Sequence, residues 1–380
     1  MKICAIICEY NPFHNGHLYQ IGEAKRITNA DAILCIMSGN FVQRGEAAIM
    51  DKFVRAKHAV LGGADAVIEL PTPFATSNAE IFAKGAVSVL ASIPSVTHLC
   101  FGTECADAET LKATARLLND EPVSVSERIK TLVGQGISYV KARSEAWQPY
   151  LPEKLLSLPN NILGIEYTRA VLSQNLNIEI MPIQRIGGDY ADHALQEDFS
   201  SASAIRTAVK NGISLKNNLP DYVKADLPST LNEELDVLER FALLETPVEK
   251  IAEVLDCNEG LENALKKAAE NNIPLSDCMT SARYTSSRIR RIALQNLLKI
   301  DKTLIRESLH TPLYLRVLAA KKERSDLFST ISSSNLPLII RTTDGNALTD
   351  VSARCFAVDL YAEKIHALLY GKPNEKQIFI

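Results

Sequence analysis

Short apolar segments alternate with helical segments through the first hundred residues, and this alternation limits the folds open to the chain. The apolar segments, each of a length typical of a buried strand, are Ile3–Cys8, Asp31–Met37, Asp65–Leu70 and Val96–Phe101. Helical patterns lie between them over His17–Thr28, Met50–Leu61 and Asn78–Ala91. Strands that alternate with helices form a parallel sheet with helices on both faces. We therefore predict an α/β protein built on such a sheet.

The rest of the chain is mostly helical in pattern. Asn177–Pro182 is a fifth predicted strand. Beyond residue 220 the strand signals nearly vanish, and leucine-rich helical patterns continue to about residue 323. Leu336–Arg341 and Cys355–Tyr361 are compatible with a strand or a helix. Because crossovers are right-handed, we predict a Rossmann-like sheet domain over residues 1–217 and a mainly helical C-terminal domain over residues 218–380.

The composition predicts a folded, cytoplasmic protein. Apolar residues make up 46% and charged residues 23% of the chain, as is usual for soluble proteins. The net charge is −4, so a nucleic-acid site would have to be a local patch. The eight cysteines include no C-x-x-C pair, and several lie in apolar runs, which indicates reduced, buried thiols. No apolar run approaches the roughly 20 residues of a membrane span, so we expect no membrane partner.

The segment from Glu9 to His17 follows the first predicted strand, at the edge where open parallel sheets bind ligands. Asn11-Pro12 predicts a turn, and Gly16 lets a base or a phosphate approach the backbone closely. His17 begins a helix whose N-terminal amides attract anions. His14 lies three residues earlier, so both imidazoles can face one phosphate and donate hydrogen bonds to its developing charge. The segment predicts phosphoryl chemistry on a nucleotide.

The histidine segment is also compatible with two simpler roles. The two histidines could be ordinary polar residues or half of a metal site, although no third histidine lies close by in sequence. Neither a G-x-x-x-x-G-K-[ST] motif nor a G-x-G-x-x-G motif follows the first strand. The P-loop and dinucleotide modes of binding are therefore excluded.

Residues 11–17 resemble the H-x-G-H signature of the adenylyltransferase superfamily, whose members have a Rossmann-like sheet. The resemblance implies that His14 and His17 stabilise the α,β-phosphate region of ATP in the transition state. Residues 199–206 resemble the second signature of that superfamily, a serine-rich turn with a basic residue. The hydroxyls of Ser201 and Ser203 can hold the β,γ-phosphates, and Arg206 can neutralise them as a third catalytic residue. A serine N-cap followed by a solvated arginine is the alternative.

Further segments resemble the bacterial tRNA(Met) cytidine acetate ligase family over nearly the full length. These segments are Gly39–Glu46, Asp65–Pro71, Phe101–Glu104, Asn160–Gly164, Gln184–Gly187 and Arg283–Arg291. The resemblance implies that acetate attacks the α-phosphate of ATP and forms acetyl-adenylate and pyrophosphate. The wobble cytidine of elongator tRNA(Met) then takes the acetyl group on N4, and AMP is released. Mg²⁺ is expected with ATP.

The same resemblance implies a set of ATP-binding residues. They are Ile7, Cys8, Glu9, Tyr10, Asn11, Pro12, Phe13, His14, Asn15, Gly16, His17, Leu18, Tyr19, Gln20, Gly102, Asn161, Arg185, Ile186, Ser201 and Ser203. Gly102 suits close approach of the adenosine, Asn161 can bond ribose or base, and Arg185 can contact phosphates or a carboxylate. Lys52 and Arg55 share a helix face, which predicts either phosphate or tRNA contact or a solvated surface.

Residues 278–325 form a basic region in an acidic chain. They contain eleven Lys and Arg residues and three acidic residues, a balance of +8. Such a stripe binds phosphates, and Tyr284 could stack on an unpaired base. We therefore predict an RNA-binding set of Arg283, Tyr284, Arg288 and Arg291, with a solvated charged helix as the alternative.

Three other functions compete with the predicted one. An acetate-activating ligase with another acceptor, similar to citrate lyase ligases, would share the first half of the reaction. A nucleotidyltransferase that acts on a small metabolite, or a non-catalytic RNA-binding protein, would share parts of the site. The sequence predicts neither the oligomeric state nor the pocket for acetate.

Overall fold

A computed structural model describes residues 1–137, 139–152, 155–186, 195–215, 217–229, 231, 234–275, 277, 284–371 and 378–380. The strands are β1 (Ile3–Cys8), β2 (Ala32–Ser38), β3 (Phe41–Val42), β4 (Glu46–Ala47), β5 (Ala66–Leu70), β6 (Val96–Thr103), β7 (Glu179–Gln184), β8 (Leu315–Ala320), β9 (Leu338–Ile339) and β10 (Ile378–Phe379). A 3₁₀ helix covers Thr342–Ala347.

The α-helices cover most of the remaining described chain. They are α1 (Asn15–Thr28), α2 (Lys52–Leu61), α3 (Thr72–Ala75), α4 (Ala79–Ala91), α5 (Ala108–Asn119), α6 (Val123–Gly134), α7 (Tyr139–Trp147), α8 (Pro159–Ser173), α9 (Ala202–Lys210), α10 (Asp221–Lys224), α11 (Leu235–Glu245), α12 (Val248–Ile251), α13 (Leu261–Glu270), α14 (Ser286–Leu297), α15 (Lys302–His310), α16 (Ser325–Ser332) and α17 (Asp350–Tyr370). Within the described ranges, no helix is both long and apolar enough to cross a membrane.

The main sheet has the strand order β10-β8-β5-β2-β1-β6-β7, with β9 beside β8. The strands from β5 to β7 in this order are parallel. The chain builds outward from β1 to β2 and β5, and then returns to place β6 on the other side of β1. A crevice therefore opens between the carboxyl ends of β1 and β6, where such sheets bind ligands. The predicted Rossmann-like sheet is confirmed, and the fifth strand begins two residues later than predicted.

Both faces of the sheet are covered, which explains its unbroken apolar strands. In β1, Ile3, Ala5 and Ile7 belong to one core, and Cys4 and Ile6 belong to the core on the opposite face. The seven cysteines that the structure describes are free thiols, and most of them are buried. Cys278 lies outside the described residues.

The C-terminal part of the chain returns to this sheet, which the sequence did not predict. Strand β8 pairs antiparallel with β5, although a helical pattern was predicted there. Every residue of β8 is buried, including Arg316, and a short buried run that does not alternate apolar and polar residues cannot be told from a buried helix by its period. Two segments were compatible with either a strand or a helix. Leu336–Arg341 contains β9, and Cys355–Tyr361 lies inside α17.

The apolar cores do not divide at residue 217. Side chains of α15, β8 and α17 share one core with β1 and β2, whereas a separate cluster unites α11, α13 and α14. The separate helical cluster extends from Leu243 to Ala293. The predicted two-domain division is therefore not a division of the core.

Lys52 and Arg55 correct a prediction, because they are 1% and 0% exposed and belong to the core. The Lys52 ammonium lies 2.5 Å from Glu69 and 2.9 Å from Glu363. Arg55 donates hydrogen bonds to the carbonyls of Glu9, Ser38, Gly39 and Met50. Neither a solvated helix face nor a direct contact with tRNA fits these positions. Arg55 fixes the loops at the carboxyl ends of β1 and β2, and Lys52 joins α2 to β5 and α17.

Candidate active site

His14 and His17 form a stacked pair at the start of α1, directly after β1. The His14 Nδ1 accepts the backbone N–H of Gly16 at 3.0 Å, and the His17 Nδ1 accepts the N–H of His14 at 3.3 Å. The ring centroids are 3.7 Å apart with an angle of 24° between the rings. Because each Nδ1 accepts a hydrogen bond, each neutral ring carries its proton on Nε2. The hydrogen-bond pattern thus assigns two Nε2–H donors.

Both imidazoles are neutral near pH 7. Burial, with the charges of Arg185 and Arg206, lowers the pKa of His14 to about 3. Burial also lowers the pKa of His17 well below its ordinary value, aided by His14 and Arg185. The pair can therefore donate hydrogen bonds to developing negative charge without first losing or gaining a proton.

Gly16 is required by the histidine pair itself. A Cβ atom at this position would lie 2.9 Å from Cε1 and 3.0 Å from Nδ1 of His14. Any other residue would displace the ring whose Nδ1 caps the helix. The close neighbour of Gly16 is thus His14, rather than only the base or phosphate that the sequence predicted.

The second predicted motif meets the first, although 195 positions separate Arg206 from Asn11. Ser201 caps α9, since its Oγ accepts the N–H of Ala204 at 3.1 Å. The Nη1 of Arg206 donates to the carbonyl of Asn11 at 2.8 Å. The N-termini of α1 and α9 therefore lie beside one cleft together with the Arg206 guanidinium. Two helix N-termini and a cation provide a site for polyphosphate.

This cleft has a volume of 1120 Å³ and opens at the carboxyl ends of β1 and β6. A small recess adjoins it beside the histidine pair, and Gly102, Arg185 and Ile186 lie in the wall of the recess. A Cβ atom at Gly102 would meet only Arg185 and Gln20, at 3.5 and 3.9 Å. The surface of Gly102 is therefore open to a ligand.

Comparison with known proteins identifies the family. Residues 1–378 match the HIGH nucleotidyl transferase family model. The chain belongs to this family. It is 38% identical to the tRNA(Met) cytidine acetate ligase of Thermoanaerobacter sp. (strain X514), with 97% of this chain and 96% of the relative aligned. It is 39% identical to the ligase of the same name from Caldanaerobacter subterraneus subsp. tengcongensis, with the same coverage.

Solved structures support this assignment. The apo crystal structure of Thermotoga maritima TmcAL has a TM-score of 0.90 and 29% identity, with complete coverage of both chains. The same protein bound with alpha-thio ATP has a TM-score of 0.87 and 30% identity, over 99% of this chain and 96% of that chain. The predicted resemblance to the tRNA(Met) cytidine acetate ligase family is confirmed.

In this HIGH nucleotidyl transferase, most of the predicted ATP-site residues line the cleft or its recess. Those residues are Ile7, Cys8, Glu9, Tyr10, Asn11, His14, Gly16, His17, Tyr19, Gln20, Gly102, Arg185, Ile186, Ser201, Ser203 and Arg206. Pro12, Phe13, Asn15, Leu18 and Asn161 do not line either space. Phe13 is buried in the core, and Asn15 Nδ2 donates to the carbonyls of Asp198 and Asn217.

Asn161 has a structural position behind the cleft of this HIGH nucleotidyl transferase. Its side chain is 2% exposed, and its Oδ1 accepts from Thr103 Oγ1 at 2.6 Å and from the N–H of Cys105 at 2.8 Å. These bonds join the start of α8 to the end of β6. The neighbouring Asn160 lines the cleft instead. The predicted bond from Asn161 to ribose or base stays a prediction.

Of the predicted RNA-binding residues, Tyr284 precedes α14, and Arg288 and Arg291 lie within this helix, which borders the same cleft. Arg288 and Arg291 line it. Arg288 donates to the carbonyl of Asp256 and to Asn258 Oδ1, and its guanidinium lies 5.2 Å from the Tyr284 ring. Tyr284 is only 9% exposed, so its ring is packed rather than presented for stacking on a base. Arg283 lies outside the described residues.

The role of Glu46 was not predicted from the sequence. Its carboxylate lies 3.5 Å from Arg206 and 3.2 Å from Arg290, and thereby joins α9 to α14 in this HIGH nucleotidyl transferase. In the sequence, the segment that contains Glu46 indicated a resemblance to the family but no role for Glu46 itself. A charged residue in the loop after β2 was the available signal, but its two partners lie far away in sequence.

Proposed function

We propose that this chain is an ATP-dependent ligase that acetylates tRNA. It joins acetate to AMP as acetyl-adenylate, releases pyrophosphate, and transfers the acetyl group to N4 of the wobble cytidine of elongator tRNA(Met). The names of its relatives and the nucleotide-bound structure of one relative support this activity. The observation that carries the chemistry is the neutral His14–His17 pair between two helix N-termini.

In the first step an acetate oxygen attacks the α-phosphorus and the bond to pyrophosphate breaks. Negative charge then increases on the α- and β-phosphate oxygens. The Nε2–H groups of His14 and His17 donate hydrogen bonds to these oxygens, while Arg206 and the N-terminal amides of α9 hold the β,γ-phosphates. The adenosine lies along Gly102 and Arg185, which line both the cleft and its recess. These assignments agree with the donors and cations around the cleft.

Mg²⁺ enters this proposal as a companion of ATP. Mg²⁺ commonly binds substrate phosphates together with one or two carboxylates. Within the described part of the chain, no three His, Cys, Asp or Glu side chains converge into a metal cluster. Mg²⁺ bound to the phosphates of ATP would neutralise part of the negative charge that increases on pyrophosphate as it leaves.

In the second step the tRNA must bring one base to acetyl-adenylate. Arg288 and Arg291 lie at the border of the cleft that holds the histidines, so they would contact phosphates beside the modified nucleotide. Such contacts bind RNA largely through charge. Arg283 was predicted for the same role. A cytoplasmic location, also predicted from the sequence, suits an enzyme that acts on tRNA.

The test is ATP–pyrophosphate exchange with acetate, with citrate and without an acid, each in the presence and absence of elongator tRNA(Met). We expect exchange that depends on acetate. His17→Ala should lower it by about 10²–10³-fold, because one preorganised donor to the transition state is lost. Exchange with citrate alone would favour another acid-activating ligase, and no exchange under any condition would contradict adenylate formation.

Acetyl transfer is measured separately with labelled acetate. The expected product is N4-acetylcytidine in elongator tRNA(Met), and a transcript with uridine at the wobble position is the matched control. Acetyl-adenylate without transfer to the cytidine-bearing transcript would favour a ligase with a different acceptor.

A further inference from the structure

The cleft extends well beyond Gly102 and Arg185, along which the adenosine is proposed to bind. The histidine pair borders both the cleft and its recess, but Glu9, Gln43, Phe82 and Tyr167 line only the cleft. We call this part of the cleft the acceptor chamber. If ATP occupies the part of the cleft along Gly102, Arg185 and the helix N-termini, as the proposed function requires, the chamber is the space left for the acetyl acceptor.

Glu9 lies at the entrance to the acceptor chamber, immediately after β1. Its Oε1 accepts the N–H of Gln43 at 2.8 Å and is 3.5 Å from the Ser38 hydroxyl. Within the described residues, Oε2 has no protein hydrogen bond and is not among the buried atoms that lack a partner. The carboxylate is thus oriented through one oxygen, while the other is accessible to the chamber.

The neighbouring acidic groups are already engaged. Glu46 binds Arg206 and Arg290, and Glu80 binds Lys84 at 2.6 Å. Glu166 binds Arg169 at 2.7 Å. The two imidazoles use Nδ1 to accept backbone N–H groups and carry protons on Nε2, so neither can accept a further proton without breaking the helix cap.

We propose that Glu9 is the general base of the acetyl-transfer step, an inference that depends on the proposed function. The N4 nitrogen attacks the acetyl carbonyl carbon, and Glu9 Oε2 takes one of the two amine protons as the C–N bond forms. The tetrahedral intermediate then collapses, the bond from the acetyl carbon to the AMP phosphate oxygen breaks, and AMP leaves as an anion. The proton on Glu9 passes to solvent when the products depart.

The surroundings of Glu9 suit this role. Burial raises the pKa of its carboxyl group, and the N–H of Gln43 and the charges of Arg206 and Arg55 oppose that rise, while Glu46 adds to it. Tyr167 lines the chamber as well, and the charge of Glu9 contributes, after burial, to raising the pKa of Tyr167. A base whose pKa is raised holds a transferred proton better than an exposed carboxylate does.

The experiment compares two nucleophiles that attack the same acetyl-adenylate. Hydroxylamine traps acetyl-adenylate as acetyl-hydroxamate and needs no base from the protein, whereas the cytidine amine does. With Glu9→Gln, whose side-chain oxygen can still accept from Gln43, we expect the ratio of tRNA acetylation to hydroxamate formation to fall at least about 100-fold. Glu80→Gln, at another carboxylate of the cleft wall, is the control and should keep the wild-type ratio.

The outcomes separate this inference from the proposed function. A wild-type enzyme that forms no hydroxamate with acetate and ATP would refute adenylate formation itself. If the wild type forms hydroxamate and Glu9→Gln keeps the wild-type ratio, with both products unchanged or equally reduced, Glu9 is not the base. The pH profile supplies a second readout: wild-type transfer should fall as Glu9 is protonated at low pH, and the variant should lack that dependence.

Discussion

His14 uses one ring nitrogen to cap a helix, and the other nitrogen is the donor in the proposed chemistry. Nδ1 caps α1 by accepting the N–H of Gly16, and the pairing with His17 fixes the ring plane. The hydrogen bond that caps the helix therefore also orients the Nε2 donor toward the cleft. This explains why an imidazole stands where Ser, Thr, Asp or Asn would cap a helix equally well.

His14→Asn should separate the two roles. Asparagine is a good N-cap and retains an acceptor near the position of Nδ1, but it has no atom near Nε2. We expect the free energy of unfolding in urea to stay within about 1 kcal/mol of the wild type, while acetate-dependent exchange falls about 10²–10³-fold. His14→Ala should lose both cap and donor. Wild-type exchange in the asparagine variant would refute the donor role.

At the scale of elements, the hairpin of β3 and β4 connects the ATP site to α14. Its turn contains Gly45 with φ of +74°, where a Cβ atom would lie 2.5 Å from the backbone nitrogen of Arg291. The next residue, Glu46, contacts Arg206 of α9 and Arg290 of α14. The position of the basic helix therefore depends on a close backbone approach at one glycine.

Gly45→Ala should move α14 away from the hairpin. We expect a loss of about 1–3 kcal/mol in the free energy of unfolding, because a side chain is strained at positive φ and meets backbone. The KM for tRNA should rise more than the KM for ATP. Gly22→Ala in α1 is the control, since nothing lies within 4 Å of its added Cβ, and it should be neutral or stabilising by up to about 1 kcal/mol. Equal changes in both KM values would contradict the proposed position of tRNA.

For the whole molecule, a buried network of four charges joins the C-terminal segment to the sheet. Lys52 of α2 and Arg316 of β8 each contact both Glu69 of β5 and Glu363 of α17, at 2.5–3.1 Å. Two cations and two carboxylates balance the charge inside the core. Removal of one member leaves a buried charge without compensation, which costs more than the pair contributes.

Lys52→Met should destabilise the protein by about 3–5 kcal/mol, measured by urea unfolding. The double variant with Lys52→Met and Glu363→Gln restores the balance of charge. Glu363→Gln should therefore lower the free energy of unfolding less in the Lys52→Met protein than in the wild type, by at least about 0.5 kcal/mol. Lys84→Met breaks an exposed pair with Glu80 and should cost under about 1 kcal/mol. Additive effects of Lys52→Met and Glu363→Gln would show that the network does not act as a unit.

The chain by itself determined the parts that depend on local pattern. Short apolar runs that alternate with helical patterns predicted five strands of a parallel sheet, and the segment after β1 predicted a nucleotide site at His14, Gly16 and His17. The serine-rich turn predicted α9 and its cap. These features follow from residues a few positions apart, because strand alternation, helix caps and turns are set by neighbouring backbone and side chains.

Tertiary structure alone decided which distant residues meet. Arg206 contacts Asn11, Arg290 contacts the hairpin after β2, and β8 completes the sheet beside β5. Lys52 and Arg55 were expected at a surface or at a phosphate, yet burial with partners from other elements made them part of the core. Each of these contacts joins residues that are far apart in sequence or depends on charges from several elements. The periodicity of a short segment does not predict such contacts, since they form only when the whole core packs.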